Sequence, residues 1–226
     1  MSAREELARL ARRSADGELE TFHDPRWGAL LDGDTARKAA VLMLFGRLDT
    51  IPAVSHKPLA PADLDVLLVE RASTLGDHPG QVAFPGGGVD PSDASLIATA
   101  LREAEEETGL DPAGVEILGR LDDVDLPVSN FRVTPVIGWW SSPSPVRVVD
   151  YGESAQVFRV PVRDLLDPDN RFTAVVDRGR QRFRSPAFAV NGVVVWGFTA
   201  GILSRLFENL GWAVRWDASR EAPAPL

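Results

Sequence analysis

The sequence predicts an α/β fold with a mixed central sheet, on two observations. Apolar runs of strand length recur along most of the chain, and long helical periodicity is confined to one central and one terminal segment. The 226 residues are 44% hydrophobic and 25% charged, enough apolar material for a sizeable core. Such a length favours one domain with extensions over two equal domains.

Taken in order, residues Ala3 to Arg13 read as a short helix with Leu7, Leu10 and Ala11 on one side. The turn-rich TFHDPRWGALLDGDT then wraps the surface. Ala39 to Phe45 and Asp65 to Glu70 read as strands, separated by the Pro-rich loop TIPAVSHKPLAPAD. Gln81 to Phe84 is a short strand before a glycine run, and a helix follows that ends at Gly109. Asp90 or Asp93 caps its start, with Asp93 preferred. Val115 to Leu121, Val133 to Trp140 and Gln156 to Val160 are further strands, and SSPSP breaks the pattern after the second of them. Val162 to Leu166 is a helical turn. Phe183 to Trp196 reads as a hairpin, because Asn191-Gly192 suits a turn whose central residues both need positive φ. Thr199 caps a last helix that buries Ile202, Leu203, Leu206, Phe207 and Leu210 and closes at Gly211. The final SREAPAPL is expected to be disordered.

Composition excludes some functions. Without cysteine there is no disulfide framework and no thiolate metal site. The charged N-terminus lacks an apolar signal core, and the run Ala39 to Phe45 is too short to cross a bilayer. The expected location is the cytoplasm. A net charge of −9 argues against nucleic-acid binding by overall charge, so neither nucleic acid nor membrane is an expected partner.

The same negative balance makes one segment conspicuous. Glutamates occupy positions 103, 105, 106 and 107, just after Gly86, Gly87 and Gly88. On a helix Glu103, Glu106 and Glu107 project within an arc of roughly 100°. The apolar stripe of Ile97, Ala100, Leu101 and Ala104 is centred roughly 115° away, so the acids flank the buried face. Glu105 points elsewhere. Like charges at this spacing destabilise a helix, whereas a hard divalent cation needs such oxygen ligands. On composition alone a solvated helix face and a cation site are equal alternatives.

The spacing separates them. Arg102-Glu103-Ala104-Glu105-Glu106-Glu107-Thr108-Gly109-Leu110 matches the second half of the Nudix box, Arg-Glu-apolar-x-Glu-Glu-x-Gly-apolar. The chain thus resembles the Nudix hydrolases, which implies their α/β/α sandwich and hydrolysis of a diphosphate linked to another group. By that resemblance Glu103, Glu106 and Glu107 bind Mg²⁺ or Mn²⁺, with the Gly87 carbonyl as a further ligand, and Arg102 orients the glutamates through ion pairs. The box glutamate eight positions before the arginine is replaced by Ala94, with Asp93 one residue earlier.

LLVERASTLGDHPGQVAFPGG (67 to 87) resembles the extended motif of the coenzyme A pyrophosphatases, as does VWGFTAGIL (195 to 203). Two positions depart from it: Gly76 stands for an arginine and Val69 for a threonine. The resemblance covers roughly residues 35 to 212, leaving 1–34 as an N-terminal helix and surface extension and 213–226 as a tail. It implies cleavage of coenzyme A or acyl-CoA to 4′-phosphopantetheine and adenosine 3′,5′-bisphosphate, with Arg71, Phe84 and Gly86 binding substrate. The alternatives are another nucleoside diphosphate derivative or a non-catalytic nucleotide-binding module. A homodimer is compatible with this reading.

Three features stand apart. Glu153 in YGESAQVF lies where the resembled family carries an acidic residue before a strand, which makes it a general-base candidate in addition to Glu106, with an exposed loop acid as the equal alternative. His78 is read as structural. Arg178, Arg180, Arg182 and Arg184 alternate along an expected strand, read as a solvated charged edge in preference to a phosphate patch.

Overall fold

The computed structural model describes residues 1–19, 35–48, 58–74, 79–126, 129–179 and 181–225. Its central strand is β1 (Arg37–Arg47), whose apolar run is buried on both sides. β2 (Leu64–Arg71) pairs with β1 antiparallel. β3 (Val82–Ala83) pairs with β2, and β4 (Gly86–Gly88) with β1, both antiparallel. β5 (Val115–Arg120) and β6 (Val124–Leu126) flank β7 (Phe131–Trp140), which runs parallel to β1. β8 (Ser154–Pro161) closes the other side along β2. One parallel pairing among antiparallel ones makes the sheet mixed, as the sequence predicts.

The period of two in β1 sets the layers. Met43 and Phe45 enter a core with Leu7 and Leu10 of α1 (Ala3–Ala15). Ala40, Leu42 and Leu44 enter the opposite core with Ala100 and Ala104 of α2 (Leu96–Thr108). After the short α3 (Val162–Leu166), α4 (Gly197–Leu210) returns to the first core through Ile202, Leu203, Leu206 and Phe207. The result is helix, sheet, helix. Each Leu or Phe fully buried this way contributes roughly 1.5–3 kcal/mol.

A second sheet has the order β11-β10-β9-β12. It consists of β9 (Arg171–Arg178), β10 (Gln181–Val190), β11 (Val193–Val195) and β12 (Glu221–Pro223). Asn191 (φ 50°) and Gly192 (φ 82°) form the expected turn between β10 and β11.

Four expectations are corrected. Ser95, not Asp93, caps α2: its hydroxyl accepts the Ala98 N–H at 3.2 Å. α4 starts at Gly197 directly after β11, so Thr199 lies inside the helix, buried and not at the cap. The C-terminal segment is ordered as far as it is described, because β12 pairs parallel to β9 and Ala224 is buried. The arginines do not share one strand, since the chain reverses at Gly179 (φ 62°) between β9 and β10. Arg182 instead lies opposite Asp177, and both Arg182 and Arg184 form ion pairs with Glu221 of β12. Arg180, the surface segment at 21–34 and most of the Pro-rich loop fall outside the described residues.

Candidate active site

β4 and α2 build the site together. The glycine strand β4 lies against β1, where Gly87 faces Ala40. A Cβ on Gly86 would come within 2.4 Å of the Ala40 carbonyl oxygen, and one on Gly87 within 2.5 Å of the Glu103 carboxylate. The bare backbone is therefore what admits the glutamate helix so closely. The Gly86 N–H donates to Glu107 Oε2 at 3.0 Å.

Arg102 is the hub of the helix face. Its Nη1 donates to Glu103 Oε1 and to Glu106 Oε2, both at 2.9 Å. Its Nε and Nη2 donate to Asp93 Oδ1 and Oδ2, again at 2.9 Å each, and Nη2 also reaches the Gly88 carbonyl at 3.1 Å. The arginine is thus bonded to two of the glutamates at once. Asp93 is neither the helix cap nor beside the glutamates as a free donor; it holds Arg102. Its carboxylate also accepts the Thr99 hydroxyl at 2.8 Å and the Asp90 N–H at 2.9 Å. Sequence reasoning missed this anchor because an acid just before a helix carries the same local signal as a cap.

The glutamates differ in setting. The Glu106 side chain is 59% exposed and that of Glu103 only 18%. Burial raises the Glu103 pKa, opposed by its bonds to Arg102. Burial pushes Glu107 up to about 7; the Gly86 N–H and Arg71 oppose this, while the charges of Glu103 and Glu153 add to it. Glu105 is exposed, as expected for its different direction.

Two further candidates lie in distant parts of the chain. The Ala72 N–H donates to the Glu153 carbonyl at 2.8 Å, which ties the end of β2 to the turn before β8. Arg71 and Glu153 are both near enough for their charges to act on Glu107. The Arg71 Nε is buried without a hydrogen-bond partner among the described residues, and Glu153 is exposed. Phe84, expected to bind substrate, is 2% exposed and packs in the core beneath the glycine strand. Val69 is likewise buried. Gly76 and His78 lie outside the described residues.

The donor set suits a hard divalent cation: carboxylate and carbonyl oxygens, with burial disfavouring the bare charge on Glu103 and Glu107. Among the described residues no three acidic side chains converge to hold an ion as they stand. The bonds explain why. Glu103 and Glu106 are drawn to Arg102, and Glu107 to Gly86. No helix among the described residues is long and apolar enough to cross a membrane.

A family model described as the NUDIX domain matches residues 50–175. A protein of Cronobacter sakazakii named uncharacterized Nudix hydrolase NudL is 42% identical over 146 residues, 65% of this chain and 75% of its own. The protein of the same name from Citrobacter koseri is 42% identical over 183 residues, 80% of this chain and 88% of its own. Among solved structures, a NUDIX hydrolase from Nitrosomonas europaea aligns over 84% of this chain and 80% of its own, at 13% identity and a TM-score of 0.46. The NUDIX domain of Shewanella oneidensis NrtR, solved with ADP ribose, aligns over 63% and 86%, at 22% identity and a TM-score of 0.43.

Proposed function

This chain belongs to the Nudix hydrolases and is a Nudix diphosphatase, and we propose that the diphosphate it cleaves is that of coenzyme A or an acyl-CoA. The observation that carries the proposal is the run from Leu67 to Gly87. It contains the coenzyme A pyrophosphatase-like motif, and its Arg71 stands within electrostatic reach of Glu107. The products are 4′-phosphopantetheine and adenosine 3′,5′-bisphosphate.

In this reading Glu103, Glu106, Glu107 and the Gly87 carbonyl hold Mg²⁺ or Mn²⁺, which when bound offsets diphosphate charge and lowers the pKa of a coordinated water. The protein's own groups do the positioning. The Gly86 N–H anchors Glu107, and Arg102 anchors Glu103 and Glu106. The unpartnered Arg71 Nε is a donor for a phosphate oxygen. A base accepts the proton of the attacking water as its oxygen joins phosphorus and the bond from phosphorus to the bridging oxygen breaks. Of the two base candidates Glu153 is favoured, because the Glu106 carboxylate is engaged by Arg102. Binding energy from the adenine and pantetheine arms helps place phosphorus against the water.

The test compares kcat/KM for coenzyme A, acetyl-CoA, ADP-ribose, nucleotide sugars and diadenosine compounds at saturating Mg²⁺, with products identified by mass spectrometry. Coenzyme A or its short acyl ester should lead. A tenfold advantage for ADP-ribose or a nucleotide sugar, about 1.4 kcal/mol in transition-state stabilisation, would remove the coenzyme A assignment and leave the Nudix one standing.

A further inference from the structure

Where the family pattern has a glutamate this chain has Ala94, and the neighbouring acid Asp93 grips Arg102 at two points. We infer that Asp93 is a positioning residue that sets the cation affinity of the site by limiting Arg102 to a single nitrogen on the glutamates. The inference rests on the reading of Glu103, Glu106 and Glu107 as cation ligands.

The physical basis is a competition. Arg102 Nη1 occupies one oxygen each of Glu103 and Glu106, the groups a cation must share. A free guanidinium would turn further donors onto these carboxylates and oppose a second positive charge beside them. It is not free. Nε and Nη2 are committed to Asp93, and Nη2 also to the Gly88 carbonyl. Only Nη1 is left facing the glutamates. Asp93 is itself rigidly held: its side chain is 5% exposed and its carboxylate is bonded by the Thr99 hydroxyl and the Asp90 N–H. A fixed acceptor fixes the arginine, so the glutamates can exchange one N–H each for a cation while Arg102 stays in place. Asp93 also supplies the negative charge that balances the guanidinium. Its lowered pKa, caused first by the Arg102 bonds, keeps it ionised.

The test measures Mn²⁺ binding by electron paramagnetic resonance on the full chain without substrate. Asp93→Asn keeps size and removes the charge; its Kd for Mn²⁺ should rise about tenfold. Asp93→Glu keeps the charge and should stay within about threefold of the parent. In turnover assays the Mn²⁺ concentration for half-maximal rate should rise for the Asn variant by more than kcat at saturating metal falls. An Asn variant that is folded by circular dichroism and binds Mn²⁺ as tightly as the parent overturns the inference. So does a Glu variant with a tenfold loss, and this result decides alone if the Asn variant does not fold. If the parent chain binds no Mn²⁺, or Glu106→Gln binds as well as the parent, the cation-ligand reading is what fails.

Discussion

Gly87 lies directly beneath Glu103: a single methyl group on its Cα would sit 2.5 Å from the glutamate carboxyl carbon. The atoms in the way are the far end of a flexible side chain, so they can move at little cost to the fold. Gly87→Ala should therefore leave thermal stability nearly unchanged and displace Glu103 from the site. A fall in kcat/KM on the order of 10²-fold is expected, since removing one well-placed electrostatic group has that size of effect. Gly86→Ala should behave differently. Its Cβ meets the Ala40 carbonyl and the Val41 Cα at 2.4 and 2.6 Å, and backbone cannot step aside. The expected outcome is a loss of folded protein, seen by circular dichroism. Equal stability of the two variants would contradict this account.

The glutamates on one helix should divide by direction. Turnover should require a divalent metal, and Glu106→Gln should lower kcat by on the order of 10²-fold or more with the fold retained. Glu105→Gln, on the exposed flank, should have little effect. Full turnover in excess chelator would be incompatible with the cation role.

Phe84 separates packing from binding. Its ring is buried in the core shared with Val82 and Leu68. Phe84→Ala should cost about 3–5 kcal/mol of stability in denaturant titration, the usual range for an emptied aromatic core position. Phe84→Leu should retain most activity. A raised KM with unchanged stability would instead restore a ligand contact for this residue.

Arg182 tests the second sheet. It is paired with Glu221 at 2.6 Å and its side chain is 59% exposed. Arg182→Ser should leave KM for coenzyme A unchanged and reduce stability by less than about 1 kcal/mol, as exposed pairs do. A large KM rise for coenzyme A that is absent for its 3′-dephospho form would identify this edge as a phosphate site.

What the sequence determined by itself is what local chemistry decides. The α2 glutamates share a face because helical geometry depends only on spacing. Gly109 ends α2 and Asn191-Gly192 turns the chain because those positions need left-handed backbone, which few residues tolerate. The run Ala39 to Phe45 is a strand because its length and apolarity fit a buried position in a sheet, and the box spacing carries the family. Tertiary structure decided everything that depends on a distant partner. Ser95 and Asp93 offer the same local capping signal, and only the position of Arg102 reserves the second for an ion pair. The last residues look like a polar tail until the open edge of β9 satisfies the backbone of Glu221–Pro223. The alternating arginines look like one face until Gly179 reverses the chain between them. Arg71 and Glu153 lie far apart in sequence, and the β2–β8 pairing is what brings their charges to Glu107. Spacing along the chain sets which side chains share a face; which faces meet is set by the burial of apolar surface over the whole domain.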